Sequence, residues 1–209
     1  MKNDNLNSDA LLTEKNLWSI YRTARAIPSS KFNLFTTIGF LIILAIQVYF
    51  FPQAIETQVE IIRKYAELGF NAALTTMGFL VAGFTIFATL SDPELFIKMG
   101  QKLHPKSKIS WLKHHLFLFV RVFIYFMAFI VFCLSIMVFG SKSGLVSSLI
   151  SFSDYAVEIR RIVAGTAYVL LMTGLYFILM QLKSFIFNMH HAVMTSLKWK
   201  WDKKNDVNS

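Results

Sequence analysis

The sequence predicts an all-α integral membrane protein with four transmembrane helices. Hydrophobic residues make up 55% of the chain, compared with about 45–50% in soluble domains. They fall in four nearly uncharged blocks, each close to the roughly 18–25 residues that a spanning helix needs. The blocks do not alternate between polar and apolar residues, which argues against barrel strands. The predicted spans are about 34–51, 68–90, 116–139 and 162–182.

Lysine and arginine are distributed unevenly among the segments outside these blocks. Fifteen of the 21 lie in residues 1–33, 91–115 and 183–209, and five lie in 52–67 and 140–161. Because cytoplasmic loops carry the excess of Lys and Arg, both termini are predicted to be cytoplasmic. The net charge of +9 then reflects orientation and attraction to anionic lipids. We expect no direct binding to nucleic acid.

The blocks divide the chain into three predicted segments. A cytoplasmic N-terminal segment with an amphipathic helix precedes a four-helix transmembrane domain, and a basic cytoplasmic tail follows it. No internal repeat or low-complexity tract is present. The three segments are residues 1–33, 34–187 and 188–209.

The amphipathic helix is predicted over residues 9–26. Leu17, Tyr21 and Ala24 recur at helical steps, as in a helix with one apolar face. Two environments suit such a helix. It can lie on the inner surface of the membrane, or it can pack on the protein's own cytoplasmic loops.

The second span is predicted to extend beyond the membrane. Nothing breaks the helical pattern from residue 54 to residue 90. A helix of that length measures roughly 55 Å at 1.5 Å per residue, whereas the hydrocarbon core is about 30 Å thick. We therefore expect this helix to stand out of the outer membrane face.

The segment after the second span predicts a short cytoplasmic helix over 93–103. Ser91 is the expected cap, with Pro93 in the first turn and Glu94 completing a capping box. The fourth span is expected to continue past Lys183 into a cytoplasmic helix.

The second span carries a face of small and polar residues at steps of three and four. Such a face meets another helix or water rather than lipid. Two interpretations remain open: tight packing in a homo-oligomer, or copies of the helix around a water-filled axis. The residues of this face are Asn71, Thr75, Gly78, Ala82, Thr85 and Thr89.

Arg121 is the one charge inside an apolar block. A charge at mid-membrane costs about 2.5–3.5 kcal/mol on insertion scales. Because Arg121 lies near the cytoplasmic end of its span, we favour a side chain that snorkels to the head groups. The alternative is a buried contact with a polar partner helix.

Few residues are candidates for chemistry. His114–His115 and His190–His191 form adjacent pairs, which do not readily reach one ion from a helix, so no metal or cofactor is expected. Cys133 lies in the middle of a span and fits a small apolar filler. No poised acid, base or nucleophile stands in a span, so we do not expect an enzyme.

The C-terminal tail interleaves tryptophan with lysine. This chemistry suits an anchor at the lipid interface or a basic docking patch for a partner. The candidate docking residues are Lys198, Trp199, Lys200, Trp201, Lys203 and Lys204.

The N-terminal helix, the four spans, the passage GFLVAGFTIFATLSDPELF at 78–96 and the basic tail together give a layout that resembles small bacterial membrane proteins of anti-phage systems. The membrane subunit of the Kiwa defence system is the nearest of these. The resemblance implies a multi-pass protein of the bacterial inner membrane, which assembles as an oligomer, senses phage entry and controls a cytosolic, nucleic-acid-binding partner.

The leading hypothesis is thus a non-enzymatic membrane subunit of a defence or signalling complex. It would contact membrane lipids, bind copies of itself and dock a soluble cytosolic partner. The alternative is a small oligomeric ion channel or a membrane-depolarising effector.

Overall fold

The computed structural model describes residues 13–90, 92–105, 107–141 and 144–208. These residues form seven α-helices and no named strand. Helix α1 spans Leu17–Arg25, α2 Lys31–Phe50, α3 Ile55–Leu90, α4 Pro93–Gln101, α5 Trp111–Phe139, α6 Leu145–Ser151 and α7 Ala156–Asn208.

Four of the helices, α2, α3, α5 and α7, are long and apolar enough to cross a membrane. Large apolar side chains cover much of their outer surface. Phe35, Phe50 and Phe79, for example, are each at least 75% exposed. Contiguous apolar surface of this kind is typical of a membrane-facing protein. The predicted fold class is confirmed in its main part: the described residues are all-α, with four helices long and apolar enough to cross a membrane.

Helices α3 and α7 are much longer than a membrane span. Helix α3 has 36 residues and α7 has 53, whereas one crossing takes about 20. The predicted continuity of both helices is confirmed. It follows from sequence, because neither helix contains a proline and their glycines are isolated.

Helix α4 begins one residue later than the predicted cap implies. Asp92 is the N-cap, and its side chain accepts a hydrogen bond of 2.9 Å from the backbone N–H of Glu94. Pro93 occupies the first turn, where its missing N–H costs nothing. The helix itself is confirmed, over Pro93–Gln101 rather than 93–103, and the predicted cap, Ser91, lies outside the described residues.

Helix α1 begins later than residue 9. Asn16 and Ser19 form a capping box, in which the side chain of Asn16 accepts from the Ser19 backbone at 2.8 Å and the Ser19 hydroxyl accepts from the Asn16 backbone at 3.3 Å. Such a box fixes the start of a helix. Residues 13–16 precede α1 without being helical, and residues 9–12 lie outside the described part of the chain.

The chain divides into two compact units. The terminal unit comprises the described parts of residues 1–28, 78–124 and 182–209, and the central unit comprises those of 29–77 and 125–181. Helices α3, α5 and α7 each contribute to both units.

An aromatic cluster forms the core of the terminal unit. Phe119 of α5 is 1% exposed, and its ring centroid lies 5.6 Å from that of Phe87 on α3 and 5.3 Å from that of Phe185 on α7. The Phe87 ring meets Phe119 nearly edge-on, at 71°. Such pairs stabilise beyond their buried area and join three long helices.

The core of the central unit is also close-packed. Gly174 of α7 lies against the ring of Phe129 of α5, where an added Cβ would come within 2.8 Å of Cε2. Asn33 of α2 is 4% exposed and donates through Nδ2 to the carbonyl oxygen of Met180 at 2.9 Å. This hydrogen bond joins α2 to α7 where no water competes.

Candidate functional site

Arg121 binds the C-terminal end of α1. The side chain, only 6% exposed, donates through Nη1 to the carbonyl oxygens of Ala24 at 3.0 Å and Ile27 at 2.7 Å. The last carbonyl groups of a helix have no hydrogen-bond partner within the helix and carry partial negative charge. A guanidinium group supplies both a donor and a positive charge. The favoured expectation that Arg121 snorkels is wrong, and the buried contact is correct.

The apolar face of α1 packs on the protein itself. Ala24 and Ile27 are buried with Phe117 of α5, and Ile20 and Leu118 pack against them half-buried. The predicted packing partner was the cytoplasmic loops, whereas the structure shows contact with α5 together with Ile109 of the loop before it. A position on the membrane surface stays a prediction. The other side of α1 stays outside, since Leu17 is 51% and Trp18 72% exposed.

A second polar tie holds the segment before α1. Lys113 of α5 donates through Nζ to the carboxylate of Glu14 at 2.5 Å and to the Thr13 hydroxyl at 2.6 Å. Burial by itself raises the pKa of the Glu14 carboxyl. The hydrogen bonds from Lys113 and Thr13, together with the Lys113 charge, lower this pKa by a larger amount, so that it lies below its usual value. The N-terminal segment is therefore attached to α5 at two residues, Lys113 and Arg121.

Three of the five histidines approach one another where the loop before α5 meets the first turns of that helix. The rings of His104 and His114 stack at 3.9 Å, and the Ser107 hydroxyl lies 3.1 Å from Nδ1 of His104 and 2.9 Å from Nδ1 of His114. His115 meets His114 edge-on, with the ring centroids 5.7 Å apart. Within the described residues, no group of three or more His, Cys, Asp or Glu is arranged to hold a metal ion.

The C-terminal half of α7 has an inward row of side chains at steps of three and four. Phe185, Ala192 and Ser196 are at most 7% exposed, and Met189 and Trp199 are half-buried. This spacing keeps the row on one side of the helix, the side that packs inside the terminal unit.

A second row lies on the opposite side of α7 and is exposed. It also advances by three and four residues, so that it forms a continuous stripe. Its large apolar members are 53–71% exposed. Lys198 and Lys204, both exposed, fall on either side of the stripe at 100° per residue. The members of this outer row are Phe187, His190, Met194, Leu197 and Trp201.

The candidate docking residues of the tail divide between these two sides. Lys203 forms an ion pair with Glu94 of α4, and Lys98 of α4 lies 4.3 Å above the Trp199 ring. Trp199 and Lys203 therefore contact α4 and do not belong to the outer row. Among the remaining candidates, all of which are exposed, Trp201 belongs to the outer row itself. These four are Lys198, Lys200, Trp201 and Lys204.

The six residues of the small-polar face of α3 are all exposed. On the other side of the same helix, Ala73, Leu80 and Phe87 are at most 4% exposed and pack inside the protein. A Cβ built on Gly78 would meet nothing within 4 Å. No described residue of this chain covers that glycine.

Two of the three threonines of this face form hydrogen bonds within the helix. Thr85 Oγ1 donates to the carbonyl oxygen of Val81 and Thr89 Oγ1 to that of Thr85, each at 3.0 Å. Both of these hydroxyl protons are used locally, so a second helix or lipid can cover Thr85 and Thr89 without leaving either donor unsatisfied.

A polar cavity of about 670 Å³ in the central unit was not predicted from the sequence. It gathers amides and phenols from three helices and the loop between α2 and α3, and Asn71 of the small-polar face is one of its lining residues. The isolated Gln47 in an apolar span was the available signal, since an amide at membrane depth needs a polar neighbour. Its polar lining residues are Gln47, Gln53, Gln58, Lys64, Tyr65, Glu67, Asn71 and Tyr168.

Comparison with known proteins identifies no relative: no protein-family model, curated protein or solved structure matches this chain. The candidate functional surfaces of this chain are its two exposed faces, the small-polar face of α3 and the outer row of α7.

Proposed function

We propose that this protein is a non-enzymatic membrane subunit that assembles with copies of itself and docks a soluble cytosolic partner through the outer row of α7. The observation that carries the proposal is the pair of opposed rows on that helix. One row packs inside the terminal unit, while Met194, Leu197 and Trp201 on the other remain more than half exposed.

The outer row has the form of a helix-binding surface. Anchors at i, i+3, i+4 and i+7 are the pattern by which one amphipathic helix recognises another. Contact of such large apolar side chains with water raises the free energy of the protein, and a monomer rarely exposes a stripe of this kind without a partner. Leu197 and Trp201 would supply the central anchors, since large aromatic side chains dominate interface energies.

The charge around the row selects the class of partner. Lys198 and Lys204 flank it, and Asp202 is the one carboxylate between residues 182 and 205 of the sequence. Complementary charge favours encounter and sets the register of a complex. We infer that the partner presents an amphipathic helix with acidic flanks.

The small-polar face of α3 supports assembly into a homo-oligomer. Gly78 and Ala82 allow two helix backbones to approach closely, which is how helices associate in lipid. The locally satisfied hydroxyls of Thr85 and Thr89 suit burial in such a contact. The outward orientation of the whole face leaves it available to a second copy.

The location in the bacterial inner membrane, with both termini cytoplasmic, is part of the proposal. The Lys and Arg distribution supports it. The contacts within the terminal unit also support it. There the hydrogen bonds of Arg121 and the Lys203–Glu94 ion pair join the two ends of the chain to residues 78–124. A role in defence rests on the resemblance in layout to the Kiwa membrane subunit.

The test is co-purification of the full chain from its native host with its companions quantified by mass spectrometry. Leu197→Asp should reduce a stoichiometric companion by roughly tenfold or more, because it places a charge in the centre of an apolar contact. Thr195→Asp is the matched control, since Thr195 is exposed on the same helix but outside the row. Equal effects of the two changes would contradict the proposal.

An ion channel is the second candidate, and the exposed threonines of α3 favour it. In that case copies of the face would surround water, and a hydroxyl oxygen can still hydrate an ion weakly. Flux through liposomes containing the purified protein separates the two functions. A channel requires flux that Thr85→Phe alters, whereas a docking subunit gives none.

A further inference from the structure

The central unit contains an apolar groove of about 450 Å³ between α3, α5, α6 and α7. This volume lies within the roughly 300–1,000 Å³ of small-molecule sites. Its lining is mainly aliphatic, and Ile62 and Ala164 among the lining residues are buried, at 5% and 6% exposure. A hydrocarbon chain is the natural occupant of such a lining.

Two arginines also line the groove. Arg63 belongs to α3 and Arg160 to α7, and both are exposed. Arg160 Nη2 donates to the hydroxyl of Ser147 on α6 at 3.3 Å, which keeps its guanidinium beside the groove. The ion pairs formed by described residues involve neither arginine, so both cationic groups are available to an anion.

Hydroxyl and carboxylate groups complete the polar part of the lining. Ser135, Ser141 and Ser147 offer hydrogen bonds, and Glu56 is the one carboxylate. Two guanidinium groups against one carboxylate leave the groove positively charged. Guanidinium groups match the geometry of phosphate and retain their charge at every relevant pH.

The segment that borders the groove exposes apolar groups of its own. Helix α6 exposes Leu145 and Leu149 by 62% and 69%, and Phe152 and Tyr155, which follow it, are 88% and 68% exposed. A short helix with such side chains fits the interface between hydrocarbon and head groups. Lipid is therefore the neighbour that this part of the chain is built to meet.

We propose that the groove binds one anionic phospholipid. An acyl chain lies along Ile62, Ile136 and Ala164, and the phosphate is held by Arg63 and Arg160. The groove would thus select lipids by charge, because a zwitterionic head group places a cation close to the two arginines. This inference does not depend on the docking function, which uses the other end of α7.

The test uses the full chain, stripped of lipid in detergent and examined by native mass spectrometry. The probes are phosphatidylglycerol and phosphatidylcholine with identical acyl chains. We expect one tightly held phosphatidylglycerol per chain, and binding reduced roughly tenfold or more by Arg63→Gln combined with Arg160→Gln, since each change removes charged hydrogen bonds. Arg161→Gln is the matched control, because Arg161 is exposed on α7 and outside the groove lining.

A second variant tests the apolar part of the site. Ala167 is half-buried in the groove lining, so Ala167→Leu fills part of the groove and should weaken the binding of both lipids. Circular dichroism reports whether the helices remain. Equal binding of the two lipids to the unmodified chain would overturn the proposal. So would a loss with Arg161→Gln as large as that of the double variant, because it would mean general surface attraction.

Discussion

Arg121 donates a hydrogen bond of 2.7 Å to the carbonyl oxygen of Ile27, 94 residues away in the chain. The contact places a fixed positive charge at the C-terminal end of α1. It turns a residue that looks anomalous in an apolar span into the anchor of the N-terminal segment. The N-terminal helix is thus an integrated part of the terminal unit rather than a separate surface helix.

Arg121→Met should release α1. The change leaves the carbonyls of Ala24 and Ile27 buried without their donor, at a cost of about 2–4 kcal/mol. We expect a lower thermal midpoint in detergent and faster trypsin cleavage at Arg22 and Arg25. Arg22→Met, on an exposed residue, should leave the midpoint unchanged. A midpoint equal to that of the unmodified protein in Arg121→Met would contradict the anchoring role.

The Glu14–Lys113 tie predicts a loss of stability in acid. The pKa of Glu14 lies below its usual value of about 4.3, so the tie contributes fully above that value and is lost as the pH falls through the lowered pKa. Glu14→Gln should remove this part of the pH dependence. The measurement is the thermal midpoint between neutral pH and pH 3. A pH profile unchanged by Glu14→Gln would contradict the contribution of this carboxylate.

Two glycines predict opposite results for the same substitution. Gly174→Ala places a methyl group 2.8 Å from the Phe129 ring. This overpacking should lower the free energy of unfolding by about 1–3 kcal/mol. Gly78→Ala meets no atom of its own chain within 4 Å and should preserve or slightly raise the stability of the monomer. Thermal unfolding of the two variants side by side makes the comparison. Equal losses of stability in the two variants would contradict the close contact between Gly174 of α7 and Phe129 of α5.

The pairing of α4 with α7 predicts a specific crosslink. Cysteines introduced by Glu94→Cys and Lys203→Cys should react with a short bis-maleimide, because the two native side chains form an ion pair. The native Cys133 is buried and should not compete. Glu94→Cys with Lys198→Cys is the control, since Lys198 lies on another side of α7. Equal crosslinking of both pairs would argue against a fixed position for the tail.

Most of the helical framework could be predicted from the sequence. Helices α3 and α7 lack breakers, and the long uncharged blocks allow few alternatives to membrane spans. The helix starts were less accurate, because Asn16 and Asp92 compete as caps with neighbouring polar residues. Local capping energies of about 1 kcal/mol decide such starts, and sequence patterns do not separate them.

The candidate surfaces were only partly predictable. The lysines and tryptophans of the tail could be identified from the sequence. Their division into two sides could not, because it depends on which row of α7 contacts α4: Trp199 and Lys203 face α4, and Trp201 faces outward. The partner of Arg121 is distant in sequence, so no local pattern points to it. The polar cavity at Gln47 likewise forms only when three helices and a loop meet.

The most direct test of the central claim is the mass of the complex purified from the native host in mild detergent. The account predicts several copies of this chain with a stoichiometric soluble companion, which Leu197→Asp releases while the copies stay together. A homo-oligomer of the unmodified chain that carries no companion would contradict a docking role and favour the channel, and so would a companion that stays bound to Leu197→Asp.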